Sequence, residues 1–256
     1  MKNAKLPSRM VLVVLLAGLA ACDVAGGADA GAVAPAATAV PGYATGRVLD
    51  TRGQPVAGAR ILLENTVFYS SSVSGSTGPD GRYRLKVHPG AWQAWTTLTT
   101  DYHGKTYRLD LHPENPDSMD EEGGVRDFTW KLQGRDPRHE YRHYGGRVTV
   151  FGDYHFHDMA DVELTLEPDG PLIDGSEGRT LVIRPDDHHW NQLDHLRDIP
   201  IGRYVMTARL LQDGGARPLR IRDRNGKQDA SERYLLEFEP ESGSSSGAVA
   251  AIVIGE

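Results

Sequence analysis

Two short polar segments hold the side chains best suited to bind a metal ion. The candidate ligands, all imidazoles or carboxylates, are His155, His157, Asp158, Asp187, His188 and His189. If residues 155–157 are extended, both imidazoles share a face, and imidazole with carboxylate suits zinc or copper. Both segments are predicted to be loops, however, where histidines are usually just hydrated. A metal site and a solvated loop therefore remain alternatives.

Aromatic side chains offer a second kind of chemistry, stacking on sugar rings. Trp92 and Trp95 are three residues apart on a predicted strand, so their side chains point to opposite faces. Trp92 is in phase with Ala94 and is expected in the core, which leaves Trp95 on the outer face. Trp95, Tyr102 and Trp190 are the candidate carbohydrate-binding residues. The alternative is that these rings cover a domain interface or close the end of a core.

Two short motifs of enzymes occur in the sequence, but neither lies in the local structure that its chemistry needs. His139-Glu140-Tyr141-Arg142-His143 has the spacing of His-Glu-x-x-His, but it lies in a predicted linker and not on a helix, which that zinc motif requires. Residues 243–247 have the spacing of Gly-x-Ser-x-Gly, but they lie in a serine-rich spacer before the final strand and not at a strand-to-helix turn. The sequence contains no glycine-rich phosphate loop followed by a helix. The adjacent carboxylates Asp186 and Asp187 would point in opposite directions on a strand, so by themselves they form no glycosidase pair. We predict a protein that is not an enzyme and has no cofactor.

The N-terminus carries the features of an exported protein. A basic head precedes an apolar run over residues 10–21, which is too short to span a bilayer and is typical of a secretory signal. Leu19-Ala20-Ala21-Cys22 resembles the lipobox of bacterial lipoproteins. That resemblance implies that Cys22 is diacylated, becomes the new N-terminus and is usually acylated again. Cys22 is the single cysteine of the chain, and acylation would account for an otherwise unexplained thiol.

The elements that position these residues are predicted to be strands. The net charge of −7 offers no basic patch of the kind that nucleic acid requires, and one cysteine permits no internal disulfide. Frequent Gly and Pro between short alternating runs predict an all-β chain. The predicted organisation is a signal peptide (1–21), the lipidated Cys with an Ala/Gly-rich tether (22–42), a first β-sandwich (43–133), a linker (134–143) and a second, diverged β-sandwich (144–256).

The first sandwich is organised around residues 77–90. Asp80-Gly81 supplies the positive φ of a tight turn, and the alternation of residues 82–87 predicts a half-buried strand that ends at Pro89-Gly90. About seven short strands are expected in this domain. Residues 113–124 are predicted to form a solvated acidic loop, and residues 128–132 the last strand.

Several turn positions of this domain resemble those of the carboxypeptidase regulatory-like domain. The matching elements, in chain order, are Gly46-x-Val48, Asp50, Gly53-x-Pro55-Val56-x-Gly58-Ala59, Thr77, Asp80-Gly81-x-Tyr83 and Pro89-Gly90. The resemblance implies a transthyretin-like sandwich, related in shape to starch-binding-type carbohydrate modules, and a non-catalytic role. The zinc peptidase domain that accompanies the module in carboxypeptidases has no counterpart in this sequence.

The second half repeats parts of the first. Gly146-Arg147-Val148 parallels Gly46-Arg47-Val48, and Ile199–Tyr204 parallels Val87–Trp92, with an aromatic residue two positions after the glycine. We therefore predict two tandem transthyretin/Ig-like β-sandwiches. The strands predicted for the second are 144–151, 161–168, 179–184, 202–211, 218–222, 233–239 and 248–254.

The sequence thus predicts a lipid-anchored protein of the bacterial cell envelope, periplasmic or on the outer surface, that binds rather than catalyses. Carbohydrate is the leading ligand class, by analogy with the fold. The alternatives are a structural or assembly role with another envelope protein as partner, and a metal-binding function that uses the histidine loops of the second domain.

Overall fold

The chain folds into β-strands joined by turns and loops. A computed structural model describes residues 37–154, 159–184, 190–191, 195–212, 214–242 and 247–256. No helix occurs in these ranges, and hence none that could cross a membrane. The all-β sandwich fold predicted from the sequence is confirmed.

The first half consists of two sheets. Its strands are β1 (Tyr43–Leu49), β2 (Arg60–Asn65), β3 (Ser72–Ser76), β4 (Arg82–Lys86), β5 (Trp92–Tyr102), β6 (Lys105–Asp110), β7 (His112–Pro113), β8 (Gly123–Val125) and β9 (Phe128–Thr129). One sheet has the order β4-β1-β9-β7, with β8 also paired to β1. The other has the order β3-β2-β5-β6.

Alternate side chains of the strands form the core of this half. Ile61 and Leu63 of β2 are buried, as are Trp92 and Ala94 of β5. Trp92 is only 1% exposed, and its Nε1–H donates a hydrogen bond to the His88 carbonyl oxygen at 2.8 Å. Because side chains alternate along a strand, the intervening residues of β2 and β5 form the outer face of the sheet.

The turn before β4 requires glycine at position 81. The Gly81 amide donates to the Gly78 carbonyl at 2.9 Å, and Gly81 has a φ of +71°. A Cβ at this position would lie 2.8 Å from the Val48 carbonyl oxygen. Both the backbone conformation and the close approach of β1 therefore favour a residue without a side chain.

The acidic segment 113–124 is more structured than the sequence predicted. Met119 is 5% exposed and exchanges two backbone hydrogen bonds with Trp92, at 2.7 and 2.8 Å. The end of the segment forms β8, which adds in parallel to β1. The last strand is also shorter than predicted: β9 ends at Thr129, although the Trp130 amide still donates to the Leu49 carbonyl of β1 at 2.8 Å. Leu132 packs against the core of the second half, and Trp130 packs against the cores of both halves.

The second half has one continuous set of strand pairings. Its strands are β10 (Gly146–Gly152), β11 (Val162–Pro168), β12 (Leu181–Ile183), β13 (Trp190–Asn191), β14 (His195–Ile199), β15 (Tyr204–Gln212), β16 (Gly215–Asp223), β17 (Tyr234–Leu236), β18 (Glu239–Pro240) and β19 (Ala248–Gly255). They follow the order β12-β11-β15-β16-β19-β10-β14-β13, with β17 on β15 and β18 on β19. Each strand predicted for this half has a counterpart here.

The two halves use the same pairing scheme. In the first half, β1 is antiparallel to β4 and parallel to β9. Likewise, in the second half, β10 is antiparallel to β14 and parallel to β19. β2 lies between β3 and β5, as β11 lies between β12 and β15. Trp92 and Tyr204 begin equivalent strands, and each donates a hydrogen bond to the carbonyl four residues earlier.

Strand β6 joins the two halves. Tyr107 and Leu109 belong to the hydrophobic cluster of the second half, and the Tyr107 hydroxyl donates to the Phe238 carbonyl at 2.7 Å. The Gly247 amide donates to the Arg108 carbonyl at 2.9 Å. The edge of the β3-β2-β5-β6 sheet at β6 is therefore covered, and the described residues form one compact unit.

Candidate functional site

The outer face of the β3-β2-β5-β6 sheet carries a polar groove beside Trp95, a predicted site residue. Strand register places Leu62 opposite Trp95, and Thr97 opposite both Arg60 and Asp110. The groove has a volume of about 630 Å³. We call it the Trp95 groove, and its lining residues are Arg60, Leu62, Glu64, Trp95, Thr97, Arg108, Asp110, His139, Arg142 and Glu241.

Trp95 lies on the outer face but is not a bare aromatic platform. Its side chain is half-buried. The guanidinium carbon of Arg138 lies 4.2 Å from the centre of the indole, and the His139 ring stacks on it at 5.6 Å with an interplanar angle of 28°. Two consecutive residues of segment 134–143 therefore cover part of the ring that the sequence placed toward solvent.

A buried ion pair fixes this cover. The side chains of Arg138 and Asp136 are 1% and 3% exposed, and Nε of Arg138 lies 2.9 Å from Oδ1 of Asp136. Arg138 Nη2 donates to Asp136 Oδ2 at 3.0 Å and to the Leu111 carbonyl at 3.3 Å. Burial acts to raise the pKa of Asp136, but the hydrogen bonds and charge of Arg138 outweigh it and leave that pKa below its ordinary value. Segment 134–143 is thus a fixed wall rather than a free linker.

Second-half contacts hold both ends of this wall. Asp198 accepts hydrogen bonds from the Gly134 amide at 2.9 Å and from the Gly145 amide at 3.2 Å. It does so with a φ of +59°, a conformation uncommon for residues other than glycine. The position of the wall over Trp95 therefore depends on the end of β14.

The rim of the groove carries charged side chains that have no ion-pair partner among the described residues. The side chains of Arg60, Arg108 and Glu64 are exposed and make no ion pair with another described residue. Asp110, in contrast, pairs with Arg142 at 3.0 Å. Guanidinium groups donate several hydrogen bonds in a planar fork, and carboxylates accept them. The groove can therefore bind a polar ligand that presents hydroxyl or acidic groups.

The other predicted carbohydrate-binding residues do not join Trp95 in the part of the chain that the structure describes. Tyr102 lies on the opposite face of β5, where its hydroxyl donates to the Pro171 carbonyl at 2.8 Å and accepts from the Arg203 amide at 3.1 Å. Burial raises the pKa of Tyr102. Tyr102 therefore contributes to the contact between the halves, and the side chain of Trp190 lies outside the described residues.

The predicted lipidation and metal sites also fall outside what is described. This applies to Cys22 and to the six candidate ligands His155, His157, Asp158, Asp187, His188 and His189. Within the described ranges, no three His, Cys, Asp or Glu side chains lie close enough to hold a metal ion. Both sites remain predictions.

Sequence reasoning missed the residues that surround Trp95. Arg60 and Arg108 could have been found, because they lie on neighbouring strands with their side chains on the same face as Trp95. Asp136 and Arg138 gave a weaker signal: two opposite charges two residues apart, in a segment that contains many charges.

Comparisons with known proteins give distant structural similarities only. No family model and no curated protein matches the chain. The TIE protein of Bacillus anthracis aligns with a TM-score of 0.29 at 13% identity, over 84% of this chain and 34% of that one. A C-terminal fragment of the pilus adhesin SpaC from Lactobacillus rhamnosus GG aligns with a TM-score of 0.27 at 10% identity, over 83% of this chain and 97% of that one.

A third similarity is to a single B repeat unit of the collagen-binding surface protein of Staphylococcus aureus. Its TM-score is 0.23 at 9% identity, over 86% of this chain and 98% of that one. The chain spans about a third of the TIE protein. TM-scores this low identify neither a family nor a function.

Proposed function

We propose that the protein is a lipid-anchored bacterial envelope protein that binds carbohydrate, without catalysis, in the Trp95 groove. The observation that supports this proposal is the groove itself, where an indole is flanked by exposed guanidinium and carboxylate groups that have no protein partner among the described residues. Sugars combine an apolar ring face with many hydroxyl groups. They would therefore use both the accessible part of Trp95 and the donors and acceptors at the rim.

The balance of these groups favours polar recognition over stacking. Arg138 and His139 occupy part of the Trp95 ring, so less of it is available than in an exposed platform. Arg60 and Arg108 can form bidentate hydrogen bonds with carboxylate or sulfate groups as well as with hydroxyls. The expected ligand is therefore a polar glycan, and acidic glycans are expected to bind most tightly.

Contacts within the protein hold the wall in place. The Asp136–Arg138 pair and the Asp198 hydrogen bonds hold segment 134–143 against the sheet. A preformed site loses less conformational entropy on binding than a mobile one. A fixed wall beside unpaired charged side chains therefore supports a binding role for the groove.

Glycan retention by full-length variants tests the proposal. Arg60→Ala and Arg108→Ala each remove an exposed side chain, so the free energy of unfolding should change by less than about 0.5 kcal/mol. A lost hydrogen bond to a charged group is worth about 1.5–3 kcal/mol, so each change should weaken binding about tenfold or more. Arg222→Ala is the matched control, because Arg222 is an exposed strand arginine of β16, outside the groove.

A glycan array and retention on insoluble polysaccharides provide the measurement. If the wild type retains no glycan, or if the groove variants bind as well as Arg222→Ala, the proposal of carbohydrate binding in this groove is wrong.

Lipidation is tested separately by metabolic acyl labelling of wild type and Cys22→Ser. A Cys22→Ser variant that keeps the acyl label would contradict the lipid anchor, but it would not contradict carbohydrate binding in the groove.

One feature favours a second candidate, binding of another envelope protein. Among the residues that the structure describes, strand β3 pairs only with β2. The sequence of β3, Ser72–Ser76, contains neither charge nor proline. Such an edge can accept a strand from a partner. Ser74→Lys should block cross-linking to that partner. Arg108 lies on β6, which does not pair with β3, so Arg108→Ala should weaken glycan retention and leave that cross-linking unchanged.

A further inference from the structure

The loop between β2 and β3 presents three consecutive exposed apolar side chains. Val67, Phe68 and Tyr69 are 66%, 57% and 99% exposed. The other large hydrophobic residues with comparable exposure in the described ranges, such as Tyr141 and Val182, occur singly. We call residues 67–69 the apolar tip. Isolated exposed hydrophobic residues need no explanation, but a contiguous group marks an interaction surface.

Hydrogen bonds at its base hold this tip out from the sandwich. Asn65 Oδ1 accepts from the Val67 amide at 2.9 Å and from the Phe68 amide at 2.8 Å. The Thr66 amide donates to the Ala91 carbonyl at 2.8 Å. The loop is therefore built against the start of β5, and the three side chains are displayed by a defined backbone.

The sequence around the tip is neutral. Residues 65–79 contain no Asp, Glu, Lys or Arg, although these four residue types together make up 25% of the chain. Charged groups resist transfer into a bilayer, whereas Tyr is enriched at the boundary between the acyl chains and the headgroups, and Phe is common on the apolar faces of peptides that lie in that boundary. The composition therefore matches a lipid interface, and the adjoining serine and threonine side chains can remain at headgroup level.

The N-terminal segment reaches the sandwich at the same end as the tip. The Val87 amide, after β4, donates to the Gly42 carbonyl just before β1 at 3.0 Å. The turn 87–91 leads from there to Trp92, which begins β5 opposite Asn65, the last residue of β2. The base of the apolar tip and the point where the chain joins β1 are therefore at one end of the first half.

That geometry brings the tip close to the membrane if Cys22 is lipidated, so the inference rests on the proposed anchor. Residues 23–36, fourteen in all, separate Cys22 from the described chain. A chain of this length spans at most roughly 50 Å. An anchor at Cys22 thus keeps this end of the sandwich within reach of the bilayer.

We infer that Val67, Phe68 and Tyr69 insert into the headgroup boundary of the bilayer that carries the protein. The tip provides a second contact with the membrane besides the acyl chains. Two points of attachment restrict rotation of the sandwich, so they set the orientation in which the Trp95 groove faces its ligand.

Site-specific labelling of the lipidated full chain tests this inference. Cys22 is the only natural cysteine and its thiol is consumed by acylation, so Phe68→Cys introduces a unique site for an environment-sensitive fluorophore. Tyr141→Cys is the matched control, because Tyr141 is an aromatic residue that is 81% exposed, in segment 134–143. Each labelled protein is placed in phosphatidylethanolamine/phosphatidylglycerol vesicles that contain lipids with a spin-label quencher near the headgroup.

The label at position 68 should be quenched several-fold more strongly by these lipids than the label at position 141, and it should be shielded from aqueous iodide. Equal quenching at the two positions overturns the inference. So does a label at position 68 that stays open to iodide in pure lipid vesicles but becomes shielded in native envelope membranes, since this assigns the tip to a protein partner. Acyl labelling of the same samples reports on the anchor, and glycan retention reports on the groove, so failure of either is seen separately.

Discussion

Replacing Trp95 with alanine tests whether this ring holds the groove wall as well as lining the groove. A fully buried tryptophan removes about 150–250 Å² from water. For a half-buried ring we take about 100 Å², which corresponds to about 2.5 kcal/mol at 25 cal/mol per Å². Loss of the contact with the Arg138 guanidinium adds about 0.5–1 kcal/mol. The free energy of unfolding should therefore fall by about 3 kcal/mol.

Urea unfolding followed by far-ultraviolet circular dichroism measures this loss, since the mutation itself alters tryptophan fluorescence. Trp95→Phe is the control: it keeps an aromatic ring under Arg138, so it should lose clearly less stability than Trp95→Ala. Limited proteolysis should show faster cleavage in segment 134–143 for Trp95→Ala only, because its wall has lost the surface against which it packs.

A cost below about 0.5 kcal/mol, as for an exposed residue, would refute the packing argument. It would mean that Arg138 and His139 do not cover the ring in solution. Trp95 would then be the free platform expected from strand alternation alone, and a stacking mode of sugar binding would regain support. Glycan retention by Trp95→Phe then tests stacking directly: a phenyl ring preserves stacking, so retention should persist if Trp95 is a free platform.

Three further changes test other parts of the structure. Gly81→Val should lower the free energy of unfolding by about 1–3 kcal/mol, because a β-branched residue is strained at positive φ; urea unfolding measures it. The pKa of Asp136 lies below its ordinary value, so its contribution to stability is complete above about pH 4, the unfolded value, and is lost as the pH falls through the folded value. The melting temperature should drop in that window, and less so for Asp136→Asn. Tyr107→Phe removes a buried hydrogen bond to Phe238 and should cost about 1 kcal/mol in thermal unfolding.

Local patterns were sufficient to predict most of the strands. The turn at Pro89-Gly90 followed by a buried Trp92 recurs as Gly202 followed by a buried Tyr204, and both can be recognised because turn and strand are adjacent in sequence. Met119 shows the limit of such patterns. It lies among acidic residues that predict a solvated loop, and its burial depends on pairing with Trp92, which is 27 positions earlier in the chain.

The candidate site was predictable only in part, because some of its contacts join residues that are distant in sequence. Alternation along β5 places Trp95 on the outer face, which is a local property. The cover provided by Arg138 depends on the path of a segment more than forty residues away, and nothing near Trp95 encodes that path. Tyr102 illustrates the same difficulty, since its hydroxyl partners, Pro171 and Arg203, belong to the second half.

The position of the wall links binding in the first half to folding of the second. An isolated buried ion pair such as Asp136–Arg138 contributes little net stability compared with apolar packing, but it holds the wall in one place over Trp95. That place is set by Asp198, which receives hydrogen bonds from both ends of the segment. Without the second half, the wall would lose the support of Asp198, and β6, which carries Arg108, would lose the core into which Tyr107 and Leu109 pack. The groove is therefore a property of the two halves together, which explains why segment 134–143 contains buried charges that a simple linker would not need.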